Sequence, residues 1–305
     1  MHTNATMDRR AWLLFAAMCV IWGVPYLLIK VAVRDLSPPL LVLGRTGIAA
    51  LLLLPIAGLR GEIRPALRRW RGVLLFGLVE MAIPWILLSS AEKRLTSSLT
   101  GLLIAAVPLV GALIAGTTGA RERLGRSSAA GFLLGLAGVS ALVGLDLGSA
   151  SVGALVEVGV VVVCYAIGPV ILIRMLAGLP PLGVIALSLG ATAVCYIPIA
   201  AFDLPSSRPS TEVVLSLLLL AALCTAFAFL LFFALIEAIG PVRATVITYV
   251  NPAVAAFLGV ALLGESLTVG MGLGFALVLA GSVLATRPAR SAAPVLDERE
   301  IELVT

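Results

Sequence analysis

Two ionisable side chains lie inside long apolar stretches of the sequence, where a charge is expensive. Arg45 lies in the stretch 38–58, and Glu80 lies near the middle of the stretch 72–90. Each would be costly within a lipid bilayer unless it faced protein or water. At about 1.5 Å per helical residue, Arg45 lies roughly 9 Å from the start of its stretch and Glu80 about 12 Å from the start of its own. We interpret both as polar contacts for a bound molecule, and Glu80 as a group able to carry a proton.

A second interpretation of this pair stays open at the level of the sequence. The two stretches follow one another in the chain, so their helices are expected to be neighbours and the long side chains could meet. They would then form an ion pair, with Arg45 extending outward to the membrane surface. Glu157, near one end of a later apolar stretch, is interpreted as an interfacial residue.

The aromatic residues are few, at 6% of the chain, so their positions carry information. Trp22 and Tyr26 are four residues apart and share a helix face, Trp85 follows Pro84, and Tyr165 lies within a later stretch. Interfacial aromatic belts would place Trp and Tyr at the membrane edges instead. We therefore predict that Trp22 and Tyr165 line a cavity, while buried packing is the alternative for the others.

One late apolar stretch, 241–262, carries a polar stripe. Thr248 and Tyr249 lie on one helix face with Pro252, and Asn251 lies beside them. A proline within a membrane helix removes one backbone hydrogen bond and produces a kink, which transporters use where the backbone lines a cavity. We predict kinks at Pro252 and at Pro108 in an earlier stretch, and polar substrate contacts from Thr248, Tyr249 and Asn251.

Enzymatic chemistry has little support in this sequence. The single histidine is His2, and there is no glycine-rich phosphate loop. The four cysteines fall in four different apolar stretches and have neither metal-ligand nor disulfide spacing. We expect no catalytic residues, no metal and no cofactor. The net charge of +5 does not indicate nucleic acid, because the arginines lie mostly in short loops between apolar stretches.

The elements that must position these residues are membrane-spanning helices. Hydrophobic residues make up 61% of the 305 residues and charged residues 12%, far from the roughly 45–50% and 25% of soluble domains. A helix needs about 20 apolar residues to cross the hydrocarbon core. Ten stretches qualify, and we name them spans 1 to 10 in chain order: 11–33, 38–58, 72–90, 97–118, 127–145, 153–175, 181–202, 213–236, 241–262 and 267–286. The expected fold is an all-α integral membrane protein with ten transmembrane helices.

The ten spans divide into two copies of one unit. Residues 131–138 recur at 274–281 with six of eight positions identical, a displacement of 143 residues. The predicted repeats are 11–145 and 153–286, followed by a tail at 288–305 that is expected to be disordered. An odd number of crossings per unit makes the second copy enter from the opposite face. The two repeats are therefore expected to be inverted.

The loop charges predict the orientation. With the N-terminus inside, the inner face carries fourteen arginines: Arg9, Arg10, Arg60, Arg64, Arg68, Arg69, Arg71, Arg121, Arg123, Arg126, Arg174, Arg243, Arg287 and Arg290. The outer loops carry Arg34, Lys93, Arg94 and Arg208, with Lys30 at the outer end of span 1. The positive-inside rule then places both termini in the cytoplasm.

Spans 5 and 10 carry glycines at helical spacing. Gly131, Gly135 and Gly138 lie on one face of span 5, and Gly274 and Gly281 lie on span 10. Such faces allow close helix approach. We expect packing here, either within the bundle or between protomers as a homodimer.

These features resemble the drug/metabolite transporter superfamily, specifically its EamA-type members with two five-helix repeats. The resemblance covers roughly residues 11–287. It rests on Trp22-Gly23, Arg45, Pro108, Pro252, Glu122, Gly264-Glu265 and the two Gly-Phe-x-Leu-x-Leu-Ala-Gly segments. It implies a ten-helix permease with a central cavity lined by spans 1–4 and 6–9, and with spans 5 and 10 to the side. Known members are mostly exporters or exchangers of amino acids, metabolites and drugs.

The second repeat differs from the first at the equivalents of two features that carry the resemblance. Ser188 stands at the equivalent of Arg45, and Tyr165-Ala166 stands for Trp22-Gly23. No symmetric pair of charged sites is therefore expected.

The sequence leads us to expect a transporter in a bacterial inner membrane that exports a small, mostly apolar or zwitterionic metabolite. Its expected substrate contacts are Trp22, Tyr26, Arg45, Glu80, Trp85, Tyr165, Thr248, Tyr249 and Asn251. One alternative is an organophosphate or nucleotide-sugar exchanger, which would need several cationic side chains in the cavity. Another is a membrane sensor or assembly factor that transports nothing.

Overall fold

The computed structural model describes residues 8–117, 126–144, 151–205 and 207–286. Sixteen α-helices and two π-helical turns make up the regular structure of these residues. The predicted tail at 288–305 and the position of Glu122 lie outside them. In chain order the α-helices are α1 Arg9–Ile21, α2 Pro25–Ala32, α3 Pro38–Leu59, α4 Ile63–Leu67, α5 Trp70–Gly77, α6 Ile83–Glu92, α7 Ser97–Ile104, α8 Val107–Thr117, α9 Arg126–Gly144, α10 Val152–Met175, α11 Pro181–Ala201, α12 Thr211–Ala221, α13 Ala228–Ile239, α14 Pro241–Ala244, α15 Ile247–Leu263 and α16 Val269–Ala285.

Seven helical segments among the described residues are long and apolar enough to cross a membrane, and they correspond to predicted spans 1–4 and 6–8. Three shorter apolar helices, Ser127–Val143, Ile247–Leu263 and Val269–Ala285, correspond to spans 5, 9 and 10. Large apolar side chains such as Leu51, Leu133 and Phe257 are each about 70% exposed on the outside of the bundle. A soluble protein rarely exposes so much apolar surface. The chain is an all-α integral membrane protein.

Helix starts follow from local sequence. Pro25, Pro38 and Pro181 each begin a helix at its first position, where the missing N–H removes no hydrogen bond. Thr96 caps α7 by accepting a hydrogen bond from the backbone N–H of Leu99 at 3.2 Å. Thr268 caps α16 in the same way, accepting from Met271 at 3.1 Å.

Span 1 is interrupted between α1 and α2, and a proline at the start of α2 explains the interruption. Pro25 has no N–H to donate to the carbonyl of Ile21, where α1 ends. Gly23 lies in this interruption, and a Cβ there would come within 2.6 Å of the side chain of Val254 on α15. The glycine therefore allows the interrupted span to approach α15 closely.

Spans 4 and 9 are interrupted as well. Pro108 cannot bond to the carbonyl of Ile104, where α7 ends, and span 4 is interrupted between α7 and α8, next to the position of the predicted kink. Pro252, the other predicted kink, lies within the continuous helix α15, and span 9 is interrupted at 245–246.

The π-helical turns lie at matching places in spans 3 and 8. Leu78–Ala82 separates α5 from α6, and Ala222–Phe227 separates α12 from α13. In the first, Pro84 leaves the carbonyl of Glu80 without its usual N–H donor. In the second, the hydroxyl of Thr225 donates to the carbonyl of Leu220 at 2.7 Å. Such turns are frequent at functional sites.

Three pairs of helices from equivalent spans pack against each other, and each pair is antiparallel. On α9 and α16, Gly131 approaches the backbone of Ala285 while Gly138 approaches that of Val278. On α3 and α11, Gly47 approaches Ala193 while Gly190 approaches Leu54. On α7 and α15, Gly101 approaches Ala255 while Ser98 bonds to Ala256. The predicted glycine packing therefore occurs within one chain.

The loops at the two ends of α3 contact different parts of the second half. At its first end, Arg34 pairs with Glu212 at 3.8 Å and Asp35 accepts a hydrogen bond from the N–H of Ser210 at 2.8 Å. At its other end, Arg69 donates to the carbonyls of Met175 and Ala177 at 3.1 and 3.3 Å. The loop that follows α3 and the loop that follows α11 therefore lie at opposite ends of the bundle.

Candidate functional site

Arg45 lies at the centre of a polar cluster inside the bundle. Its residue exposure is 8%, and its guanidinium carbon lies 3.7 Å from the ring centre of Trp85 on α6. Its Nε donates a hydrogen bond to the hydroxyl of Thr225 at 2.9 Å. A desolvated cation over an indole face is worth about 2 kcal/mol or more. Arg45 on α3 is thus held by one residue from each half of the chain.

The remaining donors of Arg45 are available for a ligand. A guanidinium carries five N–H donors in a planar fork. Among the described residues, the hydrogen bond from Nε to Thr225 is the one that this side chain makes. The two terminal nitrogens can therefore bind an anionic group such as a carboxylate in bidentate fashion.

The structure rejects the ion-pair alternative for Arg45 and Glu80. Within the described part of the chain, the ion pairs are Arg34 with Glu212 and Arg94 with Glu157. Arg45 is buried and does not extend to the surface. The reason is that Trp85 and Thr225 already stabilise the guanidinium in the interior.

Glu80 lies on the π-helical turn of span 3 and packs against α10. A Cβ on Gly168 of α10 would overlap with the Glu80 carboxylate, so the glycine makes room for that carboxyl group. Oε2 of Glu80 is buried and has no hydrogen-bond partner. A buried polar atom of this kind calls for an explanation, such as a ligand or a proton.

Two tyrosines interact electrostatically with these charged groups. Tyr26 on α2 is 7% exposed, and Tyr165 on α10 packs in the same apolar cluster. Tyr165 interacts electrostatically with both Glu80 and Arg45, and Tyr26 interacts with Tyr165 and Arg45. The structure therefore brings together Tyr26, Arg45, Glu80, Trp85 and Tyr165, which are five of the nine predicted contact residues.

Trp22 lies in a separate aromatic group. Its ring centre is 4.8 Å from that of Phe232 and 5.9 Å from that of Phe229, both on α13. Phe229 stacks on Phe233 at 6.2 Å, and both pack against the core that contains Trp85. This aromatic group connects Trp22 to the edge of the polar cluster.

The predicted polar stripe of span 9 lies apart from Arg45. Thr248 is half-buried, and its hydroxyl donates to the carbonyl of Thr245 at 2.7 Å, while Tyr249 is half-buried too. The amide nitrogen of Asn251, assigned from its hydrogen-bonding partners, donates to the carbonyls of Cys19 and Ile247 at 3.0 and 2.9 Å. Asn251 therefore joins α15 to α1 in this conformation.

Sequence reasoning missed several residues of this region. Thr225 was overlooked because a single threonine in an apolar span gives no pattern, although its π-helical turn matches the one that carries Glu80. Glu92 lies beyond the predicted end of span 3 at residue 90, whereas α6 continues to Glu92 and buries it fully. Glu265 receives hydrogen bonds from the backbone N–H groups of Ser97 and Ser98, both at 2.8 Å, at the start of α7. Within the described residues, no three His, Cys, Asp or Glu side chains are grouped as metal ligands would be.

A bundle of apolar helices around a buried arginine and an unpartnered carboxylate defines a polytopic membrane protein with an internal polar site. The model of the EamA-like transporter family matches this chain twice, at residues 9–144 and 155–287. The chain belongs to the EamA-like transporter family.

Two relatives extend this result. The chain is 31% identical over 301 residues to a protein of Escherichia coli strain K12 described as the uncharacterized inner membrane transporter YedA, covering 94% of this chain and 95% of that protein. It is 27% identical over 285 residues to an uncharacterized transporter of Archaeoglobus fulgidus, covering 91% and 99%. A solved crystal structure matches with a TM-score of 0.65 and 23% identity over 90% of this chain and 96% of that one, which supports the fold alone. The chain is a membrane transporter by family.

Proposed function

We propose that this protein is a permease that exports small metabolites, such as amino acids, related metabolites or drugs, by alternating access of two inverted five-helix halves. The observation that carries the proposal is the position of Arg45, which is contacted by Trp85 of the first half and Thr225 of the second. A ligand bound there would contact both halves at once. Relative movement of the halves would then change the side from which the ligand is reached.

Three observations support ten spans in two inverted repeats, 11–145 and 153–286. The family model matches each half separately. Helices from equivalent spans pack antiparallel, as inversion requires. The loops after α3 and α11, which are equivalent in the repeat, lie at opposite ends of the bundle. The three helices too short to be assigned by length would complete the ten spans.

The geometry favours a zwitterionic substrate with an apolar body. The terminal nitrogens of Arg45 suit a carboxylate, and the free Oε2 of Glu80 suits an ammonium group or a proton. Trp85, Tyr26 and Tyr165 would contact the apolar body. Trp22, Thr248, Tyr249 and Asn251 remain predicted contacts that the halves would bring to the site when they move.

We place the protein in a bacterial inner membrane with both termini in the cytoplasm. The support is the excess of arginine in the loops assigned to the inner face and the description of the E. coli relative as an inner membrane transporter.

The organophosphate exchanger is the less favoured transporter. Phosphate groups are bound by several cationic side chains. Within the described part of the chain, Arg45 is the one buried arginine of the bundle interior. Export of carboxylates needs only that single cation.

Counterflow in sealed proteoliposomes tests the proposal. Vesicles are loaded with each of the twenty proteinogenic amino acids, or with sugar phosphates and nucleotide sugars, and uptake of the labelled compound is measured. We expect counterflow with at least one amino acid, its loss in Arg45→Gln, Glu80→Gln and Trp22→Ala, and its retention in the surface variant Arg208→Gln. Counterflow with phosphate compounds alone would favour the exchanger, and silence across both panels would favour a protein that transports nothing.

A further inference from the structure

The described chain contains three buried side-chain polar atoms without a hydrogen-bond partner: Oε2 of Glu80 and both carboxylate oxygens of Glu92. Both residues belong to span 3, on its π-helical turn and at the end of α6. Twelve residues separate them, which is roughly 18 Å along a helix. The two residues whose carboxylate oxygens lack a hydrogen-bond partner therefore lie in the middle of one helical segment and at one end of it.

Glu92 is enclosed by charged and polar groups from several elements, yet none of them bonds to its carboxylate. Its residue exposure is 0%. The Nζ of Lys30 on α2 donates instead to the backbone carbonyls of Glu92 and Leu95, both at 2.6 Å. Glu265 is occupied by Ser97 and Ser98. The other charged neighbour of Glu92 is Arg45, which bonds to Thr225.

An ionised carboxylate without hydrogen bonds is strongly disfavoured away from water. The neutral acid avoids that cost, so Glu92 is suited to hold a proton in this conformation. The same argument applies to Oε2 of Glu80. Protonatable residues inside membrane helices commonly mark proton relays.

Two tyrosines of one apolar cluster interact electrostatically with the two carboxyl groups. The electrostatic neighbours of Tyr26 include Glu92, Tyr165 and Arg45. The neighbours of Tyr165 include Glu80, Trp85, Arg45 and Cys164. Tyr26 precedes by one turn Lys30, whose Nζ bonds to the carbonyl of Glu92, and Tyr165 precedes by one turn Gly168, which lies against the Glu80 carboxylate. Both tyrosines pack in one apolar cluster, which gives the order Glu92, Tyr26, Tyr165 and Glu80.

We propose that Glu92, Tyr26, Tyr165 and Glu80 form a proton path, through which proton entry drives substrate export. This proposal rests on the transport function proposed above. A proton from the outer side binds Glu92. Each tyrosine hydroxyl accepts one proton and passes its own proton to the next group, so that neither ring keeps a charge. Glu80 receives the proton and releases it to the inner side when the substrate leaves.

This assignment adds a second titrating residue to the site. Glu80 lies where a substrate would displace its proton, whereas Glu92 lies near the outer loop that holds Lys93 and Arg94. We therefore place the outer end of the path at Glu92. Proton binding at Glu92 should affect coupling and should leave substrate exchange intact.

Two measurements on the full-length protein in proteoliposomes test the path. The first follows the carbonyl-stretch band of protonated carboxylic acids in the infrared spectrum as pH is raised. The wild type should lose a band that is smaller in Glu92→Gln and in Glu80→Gln. Glu157→Gln is the matched control, because Glu157 lies near the same end of the bundle but pairs with Arg94 and Ser90. A spectrum of Glu92→Gln identical to that of the wild type would overturn the assignment.

The second measurement compares accumulation of the transported amino acid under an imposed pH gradient with counterflow at equal pH. Glu92→Gln should lose gradient-driven accumulation at least tenfold while its counterflow stays within about twofold of the wild type. Tyr26→Phe should lose gradient-driven accumulation as well. Tyr196→Phe controls for loss of a buried hydroxyl, since Tyr196 bonds to the carbonyl of Ala82 away from the path. If the wild type shows counterflow but its accumulation does not respond to the pH gradient, the proton path is wrong and the proposed transport function is still supported. Absence of counterflow would count against the proposed function instead, and the infrared result would still decide the protonation of Glu92.

Discussion

The guanidinium of Arg45 lies face-on to the indole of Trp85, with its central carbon 3.7 Å from the ring centre. This contact explains how a charged side chain can lie inside an apolar bundle without a carboxylate partner. The ring stabilises one face of the cation, and Thr225 stabilises one edge. The opposite edge keeps its donors for a ligand.

Replacement of Arg45 by lysine should abolish this arrangement although the charge is retained. An ammonium group lacks the planar fork and binds a carboxylate as a point charge. We expect the apparent affinity for the transported amino acid to fall at least tenfold, which corresponds to about 1.4 kcal/mol. Substrate-dependent counterflow over a concentration series measures it.

Arg34→Lys is the control for this experiment, because Arg34 forms an exposed pair with Glu212 at 3.8 Å. Exposed ion pairs contribute little to stability, so the apparent affinity of Arg34→Lys for the transported amino acid should equal that of the wild type. An Arg45→Lys protein with unchanged affinity would show that the substrate binds elsewhere.

Helix packing gives a second prediction at Gly281 on α16. A Cβ there would come within 2.6 Å of the backbone carbonyl of Gly131 and 2.7 Å of the Cα of Gly135. Backbone atoms cannot move aside as a flexible side chain can, so Gly281→Ala should destabilise the protein by about 1–3 kcal/mol. Thermal unfolding in detergent measures the change.

Gly272 offers a matched control on the same helix, since an added Cβ meets nothing within 4 Å. Gly272→Ala should be neutral or slightly stabilising because alanine favours helix. If both variants unfold at the same temperature as the wild type, α9 and α16 do not approach each other as closely at Gly281 as described here.

The loop contact between Asp35 and Ser210 gives a prediction on pH. The backbone N–H of Ser210 donates to Asp35 and, with the Ser210 side chain, holds the pKa of this carboxyl below its usual value. A group whose folded pKa is lowered stabilises the fold above its ordinary pKa, and that contribution is lost as pH falls through the lowered value. Asp35→Asn should therefore unfold at a lower temperature than the wild type at about pH 7, and the difference should shrink as pH is lowered below the ordinary aspartate pKa of about 3.9. A difference that persists or grows in acid would contradict this contact.

Much of this architecture could be predicted from the sequence, because it depends on local rules. Apolar length locates spans 1–4 and 6–8. Proline chemistry predicts a kink at Pro108, next to the interruption between α7 and α8, and glycine spacing predicts the packing of α9 on α16. Each of these signals is contained in a few neighbouring residues.

The remaining features depend on contacts between distant residues and could not be predicted. Thr225 is 180 positions from Arg45, and nothing in its own span indicates the bond. Asn251 was predicted as a substrate contact, but in this structure its amide binds the backbone of α1. Glu92 was missed because hydropathy ends span 3 too early, at residue 90. The interruption of span 9 at 245–246 could not be predicted either, because a pair such as Thr245-Val246 gives no signal comparable to a proline.

Transport by alternating access depends on the inversion of the two halves, and labelling from one side of the membrane tests it most directly. Arg64→Cys and Arg208→Cys are introduced singly after the four free cysteines, including the exposed Cys195, are replaced by alanine. Intact cells are then treated with a membrane-impermeant maleimide, with disrupted cells as the accessibility control. The account predicts that residue 208 is labelled from outside and that residue 64 is labelled only after disruption. Labelling of both positions from the same side would contradict it.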